Sequence, residues 1–264
     1  ASAGTTVDLL DGSIGNNAFA GGMLNMSGGQ IGTELGTTGS VSISGGTIGA
    51  GATFSGDSQV NVSGGQVGDG LTVEENAHLI VSGSGVLGDG VIVEEGTLDV
   101  TGGSVGEGLI VRTGAVANLR GGTIGDDINV LNAIFNLHGG SVEGRVTLFS
   151  GATLNIFGGS APESFRTLAG STINLFVTEA SLDGVALDLL EDAPFELSDL
   201  DIPLDTILSD GSAYRFDLQN RPIPGIFVHL VEASAIPEPS NWLLGAILLL
   251  ASAGRRRRNA HRWA

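Results

Sequence analysis

Apolar and polar positions along residues 11–177 alternate with period two, in short runs such as Val60-Asn61-Val62, Leu98-Asp99-Val100, Phe135-Asn136-Leu137 and Leu154-Asn155-Ile156. Alternation with β-branched residues predicts strands that bury one face, and the 3.6 period of helices is absent here. Each run precedes a Ser-Gly-Gly corner or a variant of it, beginning at Ser27, Ser44, Ser63, Ser82, Thr101, Arg120, His138 and Phe157. The intervals are 17, 19, 19, 19, 19, 18 and 19 residues. One apolar residue follows each corner (Ile31, Ile48, Val67, Val105, Ile124, Val142), and a further run such as Leu71-Thr72-Val73 or Leu109-Ile110-Val111 follows that. Three short strands cannot bury a core alone, but a stack of such units can, and a fixed period of this length is the mark of a solenoid.

The pattern therefore predicts an all-β protein whose body, residues 1–177, is a parallel β-helix of about nine coils of ~19 residues. Glycine pairs suit its repeated corners, because glycine takes positive φ at no steric cost. One inward column is expected to run Ile43, Val62, Val81, Val100, Leu119, Leu137, Ile156, Leu175. Asn61, Asn118, Asn136, Asn155 and Asn174 are expected to form an outward amide ladder. Ser82-Gly83-Ser84-Gly85 carries one residue too many and predicts a bulge at a corner. The repeat resembles that of self-associating autotransporter adhesins, which implies flat faces suited to self-association. After Val177 the period stops, and residues 178–232 read as a small β-rich cap over an otherwise open solenoid end, with strands at Tyr214–Leu218 and Ile226–Val231.

Residues 233–264 break with this pattern. Pro237-Glu238-Pro239 leads into an apolar run at 242–253, followed by Arg255-Arg256-Arg257-Arg258. An apolar segment closed by arginines reads as a transmembrane helix with its basic end in the cytoplasm. These three ordered parts resemble the PEP-CTERM sorting signal of Gram-negative surface proteins. The resemblance implies an exosortase as processing partner, a transient inner-membrane anchor, and delivery to the cell envelope, surface or exopolysaccharide-rich extracellular matrix. Ala1-Ser2-Ala3 is similar to the small-residue end of an export signal.

Charge narrows the partners. The first 240 residues hold six arginines against 29 carboxylates, a net −23, with no lysine. Such a surface repels nucleic acid and anionic lipid headgroups, and it excludes nucleic acid as a ligand. With no cysteine, neither disulfides nor a thiol nucleophile is available.

Asp69, Asp89, Glu107 and Asp126 each follow a repeat glycine and should stack on neighbouring coils. They read as a solvated acidic face or as a weak calcium site, since a hard cation relieves stacked like charges. The calcium-binding nonapeptide and the EF-hand loop are both missing. His78 and His138 stand three coils apart, too far to share a proton or a metal, and no nucleophile elbow is present. Arg112 and Arg120 read as surface partners of nearby acids. The sequence thus points to a non-enzymatic, exported structural or adhesive rod that contacts exopolysaccharide or its own copies. A carbohydrate-active β-helix enzyme, a lyase or glycosidase with its cleft beside the cap, is the alternative.

Overall fold

The computed structural model describes residues 4–160, 162, 164–190, 193–197, 203–216 and 225–231. They belong to one compact unit, Ala1–Glu232; residues 233–264 form a second and lie outside the described set. Ala1–Ala3, the Pro237-Glu238-Pro239 motif, the membrane segment 242–253 and the arginine tail are therefore not described. Among the described residues no helix is long and apolar enough to cross a membrane, and every regular element is a strand.

Nine coils stack in parallel. Their third faces form a nine-stranded sheet, from Phe19–Ala20 in coil 1 to Ser164–Thr167 in coil 9. The first faces pair in register from Thr6–Leu9 through Met23–Met26, Ser40–Ile48, Gln59–Val67, His78–Val81, Thr97–Val105, Val116–Ile124 and Ile134–Leu137 to Thr153–Ile156 and Thr172–Leu182. Side chains alternate across each strand, so in-register pairing turns the period-two pattern into columns. The column Ile43, Val62, Val81, Val100, Leu119, Leu137, Ile156, Leu175 is fully buried, as expected. Ile124, Val67, Leu71, Val73, Leu109 and Val111 fill the interior from the other two faces. Each such side chain contributes roughly 1.5–3 kcal/mol when buried.

The corners show why glycine recurs. Gly65 has φ 71°. A Cβ there would lie 2.6 Å from the carbonyl oxygen of Gly46 and 2.8 Å from the carbonyl carbon of Gly45, one coil below. Backbone meets backbone at this point, and a side chain has no room. The extra residue of coil 5 is absorbed as expected. The Gly85 N–H donates to the Ser82 carbonyl in a tight turn, and Val86 and Leu87 rejoin the register opposite Gln66 and Val67.

The strand Thr172–Leu182 runs unbroken past Val177, where the period ends. Its first half pairs in parallel with Ile226–Leu230. Its second half pairs antiparallel with Leu204–Leu208, which pairs in turn with Ala213–Phe216. Ile226 and Val228 extend the inward columns, stacked on Ile173 and Leu175, and both are buried. The Leu204–Leu208 strand is not foreseen in the sequence, whose alternation there is masked by a run of acids and prolines.

Candidate functional site

The outward side chains of the first face form two adjacent ladders on coils 6–9 and on the strand Thr172–Leu182 stacked above them. Asp99, Asn118, Asn136, Asn155 and Asn174 are in register. Each asparagine Nδ2 donates to the Oδ1 one coil below, at 2.8, 2.7, 2.7 and 2.7 Å. All four amides thus point the same way, toward the Asp99 carboxylate, and a chain of aligned hydrogen bonds polarises its members. Asp99 also takes the Nε2 of His78 at 2.7 Å and Nη1 of Arg120 at 2.5 Å. Burial pushes its carboxyl up. The bonds from His78, Asn118 and Arg120, with the charge of Arg120, outweigh this and hold it below the ordinary aspartate value. At the opposite end the Oδ1 of Asn174 lies 3.1 Å from His229 Nε2. The expected amide ladder is therefore present from coil 7 upward. Asn61 stands apart from it, because Ile80 occupies the intervening place.

The second ladder occupies the first position of the Ser-Gly-Gly corner. There the small hydroxyls of Ser44, Ser63, Ser82 and Thr101 give way to Arg120, His138, Phe157 and Phe176. His138, Phe157, Phe176 and His229 stack face to face, with centroids 4.4, 4.1 and 4.8 Å apart and planes within 15° of parallel. The spacing matches the ~4.8 Å rise of parallel strands. All four rings are half-buried, so their faces contact one another and their edges meet solvent. Burial, helped by the nearby Arg120 charge, pulls the His138 pKa down, and burial alone does so for His229. Both rings are held toward the neutral form, which a stack of rings favours.

The acidic candidates occupy a different edge. Asp69 Oδ1 accepts the Asp89 N–H at 3.0 Å, and Asp89 Oδ1 accepts the Glu107 N–H at 2.9 Å. Asp126 Oδ1 accepts the N–H groups of Asp127 and Arg145, both at 2.6 Å, which lowers its pKa. These carboxylates thus cap backbone donors on the next coil, a role not foreseen from the sequence. The arrangement also explains the preceding glycine: a Cβ on Gly88 would strike the Asp69 carboxylate. No group of three or more metal-ligating side chains occurs among the described residues. Arg112 pairs with Glu94 at 2.7 Å and Arg120 with Asp99, so both basic residues meet acids as the sequence suggested.

One cavity, of 650 Å³, lies in the C-terminal segment, lined by residues that include Ala180, Leu187, Leu189, Ile207, Tyr214 and Arg215. Its Asp205 is paired with Arg215 at 3.2 Å. Tyr214 points its hydroxyl at the Pro162 carbonyl, and burial raises its pKa.

The aromatic ladder escaped notice in the sequence, although its signal lies in the repeat itself: the corner residue drifts from serine to arginine, histidine and phenylalanine at fixed register. Charge follows the same division. Residues 1–112 hold one arginine against twelve carboxylates, and 179–238 two against thirteen, a net −11 each. Residues 113–178 hold three arginines against four carboxylates, a net −1. Comparison of the chain with protein-family models, with curated proteins and with solved structures finds no match.

Proposed function

We propose that this chain is a non-enzymatic structural or adhesive rod of the bacterial cell surface or extracellular matrix. In this reading an exosortase recognises Pro237, Glu238 and Pro239, the segment 242–253 with Arg255 to Arg258 anchors the precursor in the inner membrane, and the rod is then released outward. The observation that supports it best is the surface of the coils. They rise without long insertions, and on the first face outward side chains line up in ladders along the axis. A reaction site needs convergent groups and walls that exclude water, whereas a flat face suits lateral contact. The strands after Val177 serve in this reading as a cap, covering a solenoid end that would otherwise expose strand edges.

The test is fractionation of the producing bacterium. The expected result is the rod in the matrix or outer envelope, with Glu238→Ala retained in the inner membrane as a longer species. Recovery of both forms in the cytoplasm refutes the reading. Release of unsaturated or reducing sugar from matrix polysaccharide by the purified chain establishes the enzyme alternative, with the 650 Å³ cavity as its place.

A further inference from the structure

We propose that the outward first face of coils 7–9, with the strand Thr172–Leu182 stacked on them, is a binding face for an uncharged, extended polysaccharide, with Asn136, Asn155, His138, Phe157 and Phe176 as its contact residues. The inference rests on the matrix reading and deepens it by naming the ligand class and the site.

Three observations carry it. The first is charge. The outward positions of this face, from Val116, Asn118 and Arg120 to Thr172, Asn174 and Phe176, include no carboxylate, in a chain with 29 of them. In sequence the face falls in the near-neutral stretch 113–178, stacked on coils that carry a net −11 over residues 1–112, with Asp210 at its border bonded to the Gly159 N–H. The acidic coils beneath repel polyanions, including uronate polymers, and leave a neutral chain unopposed.

The second is unused hydrogen-bonding capacity. An amide has two N–H donors and two acceptor lone pairs. The ladder engages one of each on Asn136 and Asn155. One donor and one acceptor per coil remain, repeating at ~4.8 Å, a spacing comparable with one sugar unit of an extended glycan. Sugar hydroxyls both donate and accept, as this array requires. The ring edges of His138, Phe157 and Phe176 provide an apolar rail beside it for the sugar C–H groups.

The third is area. Four strands at ~4.8 Å, each with three outward residues ~6.7 Å apart, make a face of roughly 300 Å². A stable protein interface buries about 800 Å² on each partner. The patch is too small to hold a second copy of the chain but matches a run of three or four sugars.

The experiment is native affinity electrophoresis of the full chain in mild detergent. Gels are cast with a soluble β-glucan, a galactomannan, a xylan, or polygalacturonate. The expected result is retardation by at least one neutral polymer and none by polygalacturonate. His138→Ser with Phe157→Ser should weaken that retardation at least tenfold, with an unchanged far-ultraviolet dichroism spectrum. Serine stands at the same corner in Ser44, Ser63 and Ser82, so coils of this protein already accept it. Hydrogen exchange on the unmodified protein gives an independent reading: the neutral polymer should slow exchange within residues 116–176.

Undiminished retardation of the double variant overturns the proposal, as does protection elsewhere. So does equal or stronger retardation by polygalacturonate, or no retardation in any neutral gel. A dimer in sedimentation that the double variant dissociates also overturns it, in favour of self-association. If the site fails while the protein still fractionates with the matrix, the matrix reading survives. If glycan binding is lost in the variant but the protein stays in the cytoplasm, the converse holds.

Discussion

Two glycines of coil 4 separate two physical demands that the repeat imposes together. Gly65 and Gly70 have nearly the same backbone, φ 71° and 68°, but different surroundings. A Cβ on Gly70 meets nothing within 4 Å, whereas one on Gly65 lies 2.6 and 2.8 Å from the backbone of coil 3. Alanine costs ~1–2 kcal/mol in the left-handed region, and about 0.4–1 kcal/mol of that is offset because alanine restricts the unfolded chain. Gly70→Ala should therefore cost about 1 kcal/mol. Gly65→Ala carries the same cost and must also push two coils apart by ~0.7 Å to reach ordinary carbon–carbon contact. That strains the pairings on either side, Ser44 with Gly64 and Thr47 with Gln66. Losing one or two such hydrogen bonds at ~1–3 kcal/mol each brings the total to roughly 3–5 kcal/mol. Guanidinium unfolding followed by circular dichroism measures the difference, since residues 1–241 hold no tryptophan to serve as a fluorescent reporter. Hydrogen exchange should show lost protection across coils 3 and 4 in Gly65→Ala alone. Two variants equal within about 0.5 kcal/mol would refute the claim that close backbone approach, and not φ, fixes the first corner.

Other perturbations test other parts of the molecule. Ser58 Oγ is buried with no partner among the described residues, and the places above it hold Ala77, Gly96, Ala115, Ala133 and Ala152. Ser58→Ala should therefore stabilise the fold by ~1 kcal/mol in the same unfolding assay, and a loss of stability would contradict the assigned column. Asp210 reaches from the turn after Leu204–Leu208 to accept the Gly159 N–H at 2.7 Å and the Ser212 N–H at 2.9 Å. Asp210→Ala should cost about 2 kcal/mol and deprotect Phe157–Gly159 to exchange; unchanged protection there would show the clasp to be idle. His138 has its pKa lowered in the fold by burial and Arg120, so the unfolded chain binds the proton more readily. Its contribution is complete above the ordinary histidine value of 6.5 and is lost as pH falls below it. His138→Phe should thus show a smaller drop in melting temperature between pH 7.5 and 5.5 than the unmodified protein; equal slopes would refute a half-buried ring held neutral.

The solenoid was legible because its rules are local. Val62, Val81 and Val100 announce themselves by alternation, and a period of nineteen places them above one another without knowledge of the turns. The roles of Asp69 and Asp89 were not legible. Their sequence spacing shows that they stack, but not that each oxygen meets the next coil's backbone N–H, because corner geometry decides which polar atom faces which. Asp99 was equally hidden: an acid at an asparagine position looks like a substitution in the ladder, and only the folded stack makes it the terminus toward which four amides point. Leu204–Leu208 was missed for a third reason. It gains its pairing from Thr172–Leu182, distant in sequence, and the acids and prolines around it hide its alternation.

The change at the corner residue follows from a property of stacked coils. Each coil touches only its neighbours, so a side chain there is judged against the coils directly above and below. A lone phenylalanine among the serines of coils 3–5 would expose both of its faces. Placed next to another ring it loses that penalty, since Phe157 covers Phe176 on one side and His138 on the other. Histidine at each end then closes the stack with a ring that is flat enough to pack and polar enough to meet Arg120 or Asn174. The aromatic run must therefore be contiguous and must end in residues of mixed character. By this argument Phe157→Ser should do more damage than its own burial predicts, because it uncovers His138 and Phe176 together. Adding Phe176→Ser to that variant should cost less than it does alone, which a double-mutant cycle on the unfolding free energy measures. Strictly additive losses would mean that the rings are separate ornaments of the face and not one ladder.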